Sequence, residues 1–369
     1  MMPSTITDNN KLSITSFERA RCKEHVITFQ SEVQSEFAQA CTHVADAVGQ
    51  RNASLIAFDI FGVPGSMESQ LKEAFSTLPY PSITWLEGRY TQDAPFYSIV
   101  ATALEGPEVT PLVAGERAVG VTYDIDGLRY CRLGGNTAVN LGASPKEQTE
   151  ELFHNLEEAL ALANMDFTHV VRTWFYNKDM LQWYDSFNEV RTAFFQERGL
   201  FDRFVPASTG IGCRNGKDAA LIAGVLAVAA HSQSLTPTEV LSPLQCPSFE
   251  YGSAFSRAME FTAGGLRRLY ISGTASIEPG GLSVHLGDVR AQIELTLDVV
   301  EAILVSRGMT WDCTTRSIAY FKHAEDAPNF ATALKERGMP SLPGVIAHTD
   351  ICRDDLLFEL ELDAIHPAG

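Results

Sequence analysis

The chain of 369 residues lacks most of the patterns that declare a function outright. Its seven cysteines form no CxxC pair, which argues against structural zinc and against a disulfide framework. They read as reduced, buried thiols. Its nine histidines make no HxH or HExxH spacing, so no metal is expected. No apolar run is long enough to span a bilayer, LIAGVLAVAA (221–230) falling well short, and the stretch MMPSTITDNNKLSITSFERARCKEH has no apolar signal core. A cytoplasmic protein that does not enter a membrane is the expectation. Basic residues are scarce: 28 Lys and Arg face 46 Asp and Glu, for a net charge of −18. That field repels phosphate backbones, so nucleic acid is not an expected partner. An anionic substrate would need a local cluster of arginines against the general field.

What the chain has instead is repetition, which fixes architecture before anything else. LRYCRLGGNTA (128–138) and RLYISGTASI (268–277) are both apolar strands that break at Gly and a small hydroxyl residue. Each leads into a helix, ASPKEQTEELFHNLEEALALANM (143–165) or GDVRAQIELTLDVVEAILVSRGM (287–309). Leu152, Leu156, Leu160 and Leu162 mark the apolar stripe of one, and Ile293, Leu297, Val300 and Leu304 that of the other. Ser144-Pro145 and Gly287-Asp288 supply the helix starts. A strand follows in both, FTHVVRTWFY (167–176) or DCTTRSIAYF (312–321), then a second helix (179–197 or 325–337) and a closing hairpin.

A more eroded copy stands in front: VITFQ (26–30), a helix over 35–50, SLIAFDIFG (54–62), a helix over 66–78, then ITWLEG and FYSIVATAL as the hairpin. GPEVTP (106–111) and SQSLTPTEVLSPLQCPSF (232–249) read as linkers. The expected fold is therefore α+β: three tandem β-α-β-α-β-β units over residues 1–110, 111–245 and 246–369. Their bare sheet faces would pack inward as an intrachain pseudo-trimer around a central barrel, with clefts at the unit boundaries.

Several of these segments carry a family likeness. The strand-Gly openings, the Gln-bearing helices, RTWFYNKDMLQWYDSFNEVRTAFF and the acid-bearing strand FELELDAI resemble the YjgF/RidA superfamily, whose members are homotrimers with clefts between subunits. A closer likeness is to the chorismatases, carried by VVRTWFY (170–176), PASTGIG (206–212), FSRA (255–258), SGTASI (272–277), the H-x-G-D of 285–288 and DICRDDLLFELE (350–361). There are departures. Imine-deaminating Rid proteins place an Arg after the Pro that opens the last hairpin; PSI (81–83), PAS (206–208) and PGV (343–345) have none, which disfavours that chemistry. Chorismatases carry Tyr-Gly-Pro-Arg where this chain has Tyr251-Gly252-Ser253-Ala254, and Val-Gly-His where it has Glu278-Pro279-Gly280-Gly281. A lost Arg and a gained acid point to an altered substrate.

The stretch VIAHTDICRDDLLFELELDAI (345–365) alternates like a strand yet sets His348, Asp350, Cys352, Glu359 and Glu361 among its apolar residues. A hairpin turning at Asp354-Asp355 segregates them: Val345, Ala347, Ile351, Leu356, Phe358, Leu360 and Leu362 face the helices, and His348, Asp350, Cys352, Glu359 and Glu361 face the cleft. In that register Asp350 lies opposite Glu359, so one of the two should titrate high. The resemblance implies that Glu359 is a general acid protonating an enolpyruvyl methylene carbon. It also implies that a Cys at position 352 accompanies hydroxybenzoate formation.

Arg257, Arg172, Tyr251, Ser272, Gly273, Thr274 and Asp350 are the candidate substrate-binding residues; Arg172 is either a cleft cation or the partner of an acid on the sheet. The expected activity is cleavage or rearrangement of an enol ether on chorismate or a related cyclic carboxylate, with no cofactor. A Rid-like hydrolase or lyase, or a non-catalytic small-ligand binder, are the alternatives. The expected partner is a small anionic substrate, and the chain is expected as a lone pseudo-trimer or a higher homo-oligomer.

Overall fold

The computed structural model describes residues 2–7, 12–19, 21–63, 65–67, 69, 73, 75, 83–88, 96–231 and 235–368. The first sheet contains β1 (Ser4–Thr7), β2 (Ser13–Arg19), β3 (Cys22–Ser31), β4 (Ala53–Phe61), β5 (Ile83–Gly88) and β6 (Tyr97–Glu105). The second contains β7 (Val109–Ala114), β8 (Arg117–Ile125), β9 (Leu128–Asn136), β10 (Val170–Asn177), β11 (Ala207–Gly212) and β13 (Leu221–Ala230). The short β12 (Arg214–Asn215) crosses to pair with β5 of the first sheet. The third contains β14 (Thr238–Val240), β15 (Ala258–Ala263), β16 (Leu266–Ala275), β17 (Thr314–Phe321), β18 (Gly344–His348) and β19 (Phe358–Pro367).

Helices cover one face of each sheet: α1 (Gln34–Gln50) the first, α2 (Pro145–Ala161) and α3 (Tyr184–Glu197) the second, α4 (Val289–Ser306) and α5 (Pro328–Glu336) the third. Their starts follow from local chemistry. Ser144 and Glu147 close a capping box on α2, and the Asp288 side chain accepts from the Ala291 amide at the head of α4. Leu152, Leu156 and Leu160 are buried as expected, but Leu162 lies past the end of α2 and is exposed. The helix expected over 66–78 lies largely outside the described residues.

This is the three-unit α+β architecture that the repeats imply, with the bare sheet faces joined by packing into one shared apolar core. Two details differ from the expected order. The linkers are not wholly irregular, since β7 and β14 add edge strands to the second and third sheets. The closing strands are not hairpins. In the third sheet the order is β14-β15-β16-β19-β17-β18, so β17 separates β18 from β19. β18 runs parallel to β17, and β19 is inserted antiparallel between β16 and β17. The alternation of apolar residues sets which face a side chain takes but not which strand lies beside it.

A bulge recurs at one place in every unit. The pairing of the middle strand with the last strand slips between Leu55 and Ala57, between Val170 and Arg172, and between Thr314 and Arg316. The slip explains why Val170 joins the helix-side core while Val171 joins the inner one, against simple alternation. Beyond the bulge, Phe61, Tyr176 and Tyr320 are equivalent positions. They meet in the inner core, with ring centroids 6.0 Å apart for Phe61–Tyr176 and 6.3 Å for Phe61–Tyr320.

Phe61 is 2% exposed at this three-way junction. Phe61→Ala should cost about 3–5 kcal/mol of stability, measured by urea unfolding, whereas Val113→Ala at an exposed edge should change it by no more than about 0.5 kcal/mol.

Candidate active site

The register makes Ser98, Ile222 and Glu359 equivalent, each opposite Phe61, Tyr176 or Tyr320 on the neighbouring strand. Their surroundings differ. At the first boundary Ile222 is apolar core, and Gly135, at φ +63°, lies so close to β5 that a β-carbon would sit 2.2 Å from the Ile83 carbonyl oxygen. At the third, Ser98 donates to the Ile346 carbonyl at 3.0 Å, and the Ile346 amide donates to Gln30 at 2.6 Å. Between the second and third units a cavity of about 150 Å³ opens, and Glu359 lines it.

Five segments build the walls. Helix α3 presents Tyr184, Asn188 and Arg191, spaced as one helical face, and β11 presents Ser208 and Gly210. The loop before β15 brings Tyr251, Phe255 and Arg257. Gly273 comes from β16, and Cys352 and Arg353 from the loop before β19. That loop is anchored across the boundary, where the amides of Gly212 and Asp350 each donate to the other's carbonyl, at 2.8 and 2.9 Å. The Gly273 amide donates to Thr209 at 3.1 Å, within a bulge between Ile271 and Thr274. A β-carbon at Gly273 would sit 1.9 Å from Glu359 Oε1, so only glycine leaves room for the carboxyl there.

The two acids on the cleft face of β19 are driven in opposite directions. Glu361 is fully buried; Arg316 and Arg172 reach it at 2.6 and 2.9 Å, and the Trp174 indole donates to it at 3.2 Å. Burial opposes its charge, but the two guanidinium groups outweigh that and hold it below the ordinary carboxylate range. Glu359 is 4% exposed and makes no hydrogen bond or ion pair among the described residues. Burial first, and then the charge of Glu361, push it up to about 8, against the weaker pull of Arg172 and Arg257. Neighbouring carboxyls split in this way make one anion and one proton donor at neutral pH. Cys352, half-buried, is pushed up to about 12 by burial and by the same glutamate, so it stands in the site as a neutral thiol.

Three guanidinium groups surround the cavity, and none has a carboxylate within ion-pairing distance among the described residues. Arg257 donates to the Cys246 carbonyl at 3.0 and 2.8 Å. Arg353 donates to the Gly281 carbonyl at 2.8 Å and lies 5.2 Å from the centroid of the Tyr251 ring. Arg191, 1% exposed, donates to Asn188 at 2.6 Å and lies 5.0 Å from the Phe187 ring and 5.9 Å from the Phe255 ring. This is the local arginine cluster that an anionic ligand would require of so acidic a chain.

The candidates from the sequence thus divide. Glu359, Cys352, Arg257, Tyr251 and Gly273 line one cavity. Ser272 and Thr274 brace its wall: the Ser272 hydroxyl accepts from the Ser208 amide at 2.8 Å and donates to the Ser256 carbonyl at 2.6 Å, and Thr274 donates to the Ser272 carbonyl at 2.9 Å. Arg172 takes the second of its two readings, as the buried partner of Glu361. Asp350 does not lie opposite Glu359, because β17 intervenes and Asp350 bridges to Gly212 instead; the acid beside Glu359 is Glu361. Nor do Val345, Ala347, Ile351 and Leu356 face the helices, since all four belong to the inner core. Arg191 and Arg353 went unremarked as ligands. A signal for Arg191 was there: in FNEVRTAFF it shares the apolar stripe with Phe187, Val190 and Phe194.

Comparison with known proteins accords with this geometry. The model of the family described as Endoribonuclease L-PSP matches residues 132–229. A chorismatase of Streptomyces rapamycinicus is 29% identical over 221 residues, covering 54% of this chain and 65% of that protein. A 3-hydroxybenzoate synthase of Streptomyces hygroscopicus is 27% identical over 278 residues, covering 67% of this chain and 76% of its own. A crystal structure of chorismatase superposes with a TM-score of 0.62 at 21% identity, over 84% of this chain and 93% of that one. These matches support a chorismatase-like protein of the YjgF/RidA superfamily. The match to the first relative spans a little under two thirds of that protein's length.

The raised Glu359 carboxyl makes the stability of this chorismatase-like chain depend on pH. Between 4.5, its ordinary value, and about 8 the folded state keeps a proton that the unfolded state releases. Its contribution to stability is therefore full below 4.5, declines as pH rises, and is gone above about 8. Urea unfolding at a series of pH values should show Glu359→Gln gaining on the wild type across that window, with the difference constant above it; parallel profiles would refute the shift.

Proposed function

We propose that the chain cleaves the enol ether of chorismate or a closely related cyclic carboxylate, releasing pyruvate, with Glu359 as the general acid. The observation that carries this reading is a buried carboxyl pushed up to about 8, in a cavity ringed by three guanidinium groups, all four groups being without an ion-pair partner among the described residues. Protonation at carbon needs an acid that keeps its proton at neutral pH and stands in a site shielded from bulk water. Glu359 meets both conditions. The terminal methylene carbon of the enol ether takes the Glu359 proton, and the ether oxygen stabilises the cation left on the adjacent carbon. Water adds to that carbon and gives up a proton to the Glu359 carboxylate, and the resulting hemiketal collapses to pyruvate and a ring alcohol.

The arginines have the complementary task. Arg257 and Arg353 flank Tyr251 on one wall, and Arg191 approaches Phe255 from helix α3. Arg191 stands beside the loop in which Ser253-Ala254 replaces the Pro-Arg of the chorismatase pattern, and we assign to it the binding of the carboxylate that this arginine would otherwise meet. The names of the relatives, a chorismatase and a 3-hydroxybenzoate synthase, favour the same substrate class. The nuclease wording attached to the matched family finds no support in this chain, whose charge of −18 opposes a polyanion. Cys352, a neutral thiol at the cavity wall, is the residue we assign to directing the ring product towards hydroxybenzoate.

Pyruvate release from chorismate, followed with a coupled dehydrogenase, is the direct test. The wild type should turn over with kcat/KM falling as pH rises through about 8, because the acid form of Glu359 is the active one. Glu359→Gln should lose about 10²- to 10⁴-fold in kcat; full activity in that variant would remove Glu359 from the mechanism. Gly273→Ala should lose activity while unfolding cooperatively near the wild-type midpoint, since the added methyl displaces the carboxyl. Chromatography of the products should show Cys352→Ala trading hydroxybenzoate for dihydrodiol, and an unchanged ratio would release the thiol from that role.

A further inference from the structure

A second cavity, of about 60 Å³, lies between the inner faces of the sheets. Glu359 lines the first cavity and Asp363 the second, with Glu361 between them on the same face of β19. The second cavity takes no part in the reading above, yet its walls are charged: Glu24, Asp59, Arg132, Arg268, Arg316 and Asp363 all line it, beside the Trp174 ring. These arginines are 9%, 5% and 5% exposed in that order. Each already has an acid: Arg132 has Asp59 at 3.5 Å, Arg268 has Glu24 at 2.6 Å, and Arg316 has Glu361 at 2.6 Å and Asp363 at 3.5 Å.

Hydrogen bonding is less complete than charge pairing. Among the described residues, Arg132 Nη1, Arg268 Nε and Arg316 Nη1 have no hydrogen-bond partner, and neither does Asp363 Oδ1. Three donors thus stand against one acceptor in a buried space, and a donor left unmade there carries its full desolvation cost. A water molecule brings as many hydrogens as lone pairs and would leave hydrogens to place. A ligand that only accepts matches the excess. A volume of about 60 Å³ suits a small ion. Asp363 adds to the bias, since burial drives its carboxyl towards the neutral form, which supplies one more donor.

We propose that this cavity is a binding site for a small monovalent inorganic anion, of the halide class, held by Arg132, Arg268 and Arg316. Arg132 lies 3.9 Å from the centre of the Trp174 ring, which fixes its guanidinium plane and keeps it in the cavity. The three arginines come from β9, β16 and β17, so the ion would join the second unit to the third from within.

Crystals of the full chain equilibrated with molar-range sodium bromide, with data collected at the bromine absorption edge, provide the test. An anomalous peak between Arg132 and Arg316 is expected, and water density alone in the cavity overturns the site. In solution, sodium chloride should raise the melting temperature above that in sodium gluconate at equal ionic strength by about 2 °C or more. Arg132→Gln should abolish that difference; equal melting temperatures for the wild type in the two salts count against the site, and the wild-type readings do not depend on the variant folding.

Discussion

The site is organised around one buried anion. Glu361 sits on β19 where Arg172 of the second unit and Arg316 of the third both reach it. A carboxylate taken fully out of water is unfavourable unless its partners are close and well placed. Here one guanidinium on each side meets it, and Trp174 and Thr209 complete its surroundings. Thr209 accepts from Arg172 at 2.6 Å and from the Gly273 amide at 3.1 Å, so the arrangement that holds Glu361 also holds the bulge against which Glu359 rests. The charge that Glu361 keeps is one of the reasons its neighbour stays protonated. Structure and chemistry therefore share a single network.

The same network accounts for an asymmetry between the units. Arg172 and Arg316 occupy one structural position, just past the recurrent bulge, and Ala57 occupies it in the first unit. Asp363 faces Arg316, Leu226 faces Arg172, and Thr102 faces Ala57. Polar residues accumulate on the inner face of the third unit and thin out on the first. One boundary has become a charged cleft, while the other two have been filled by Ile222 and Gly135 on one side and by Ser98 and Gln30 on the other.

Much of this was legible beforehand. The triplication could be read from punctuation, because a strand that ends at Gly-Gly-Asn or Ser-Gly-Thr and gives way to a capped helix repeats a physical instruction. The facing of Glu359 and Glu361 away from the helices could be read as well, since Phe358, Leu360 and Leu362 alternate with them. The partner of Glu359 could not. Period-two alternation leaves a strand's neighbours open, and VIAHTD and FELELDAI have the pattern of a hairpin's two arms although β17, from earlier in the chain, lies between them. Arg191 escaped for a related reason: an arginine on a helix is ordinarily solvated, and only its place among Phe187, Val190 and Phe194 marks it as buried.

The junction of Phe61, Tyr176 and Tyr320 has a consequence for how such a chain can change. In a ring of three identical subunits any substitution at the axis is made in triplicate, so a side chain must be compatible with two copies of itself. Joined end to end, the modules escape that constraint: one phenyl group can sit against two phenols, and each wall of the crevice can be altered without touching its counterparts. A fused chain thereby gives up two of three equivalent crevices and gains the freedom to specialise the one that remains.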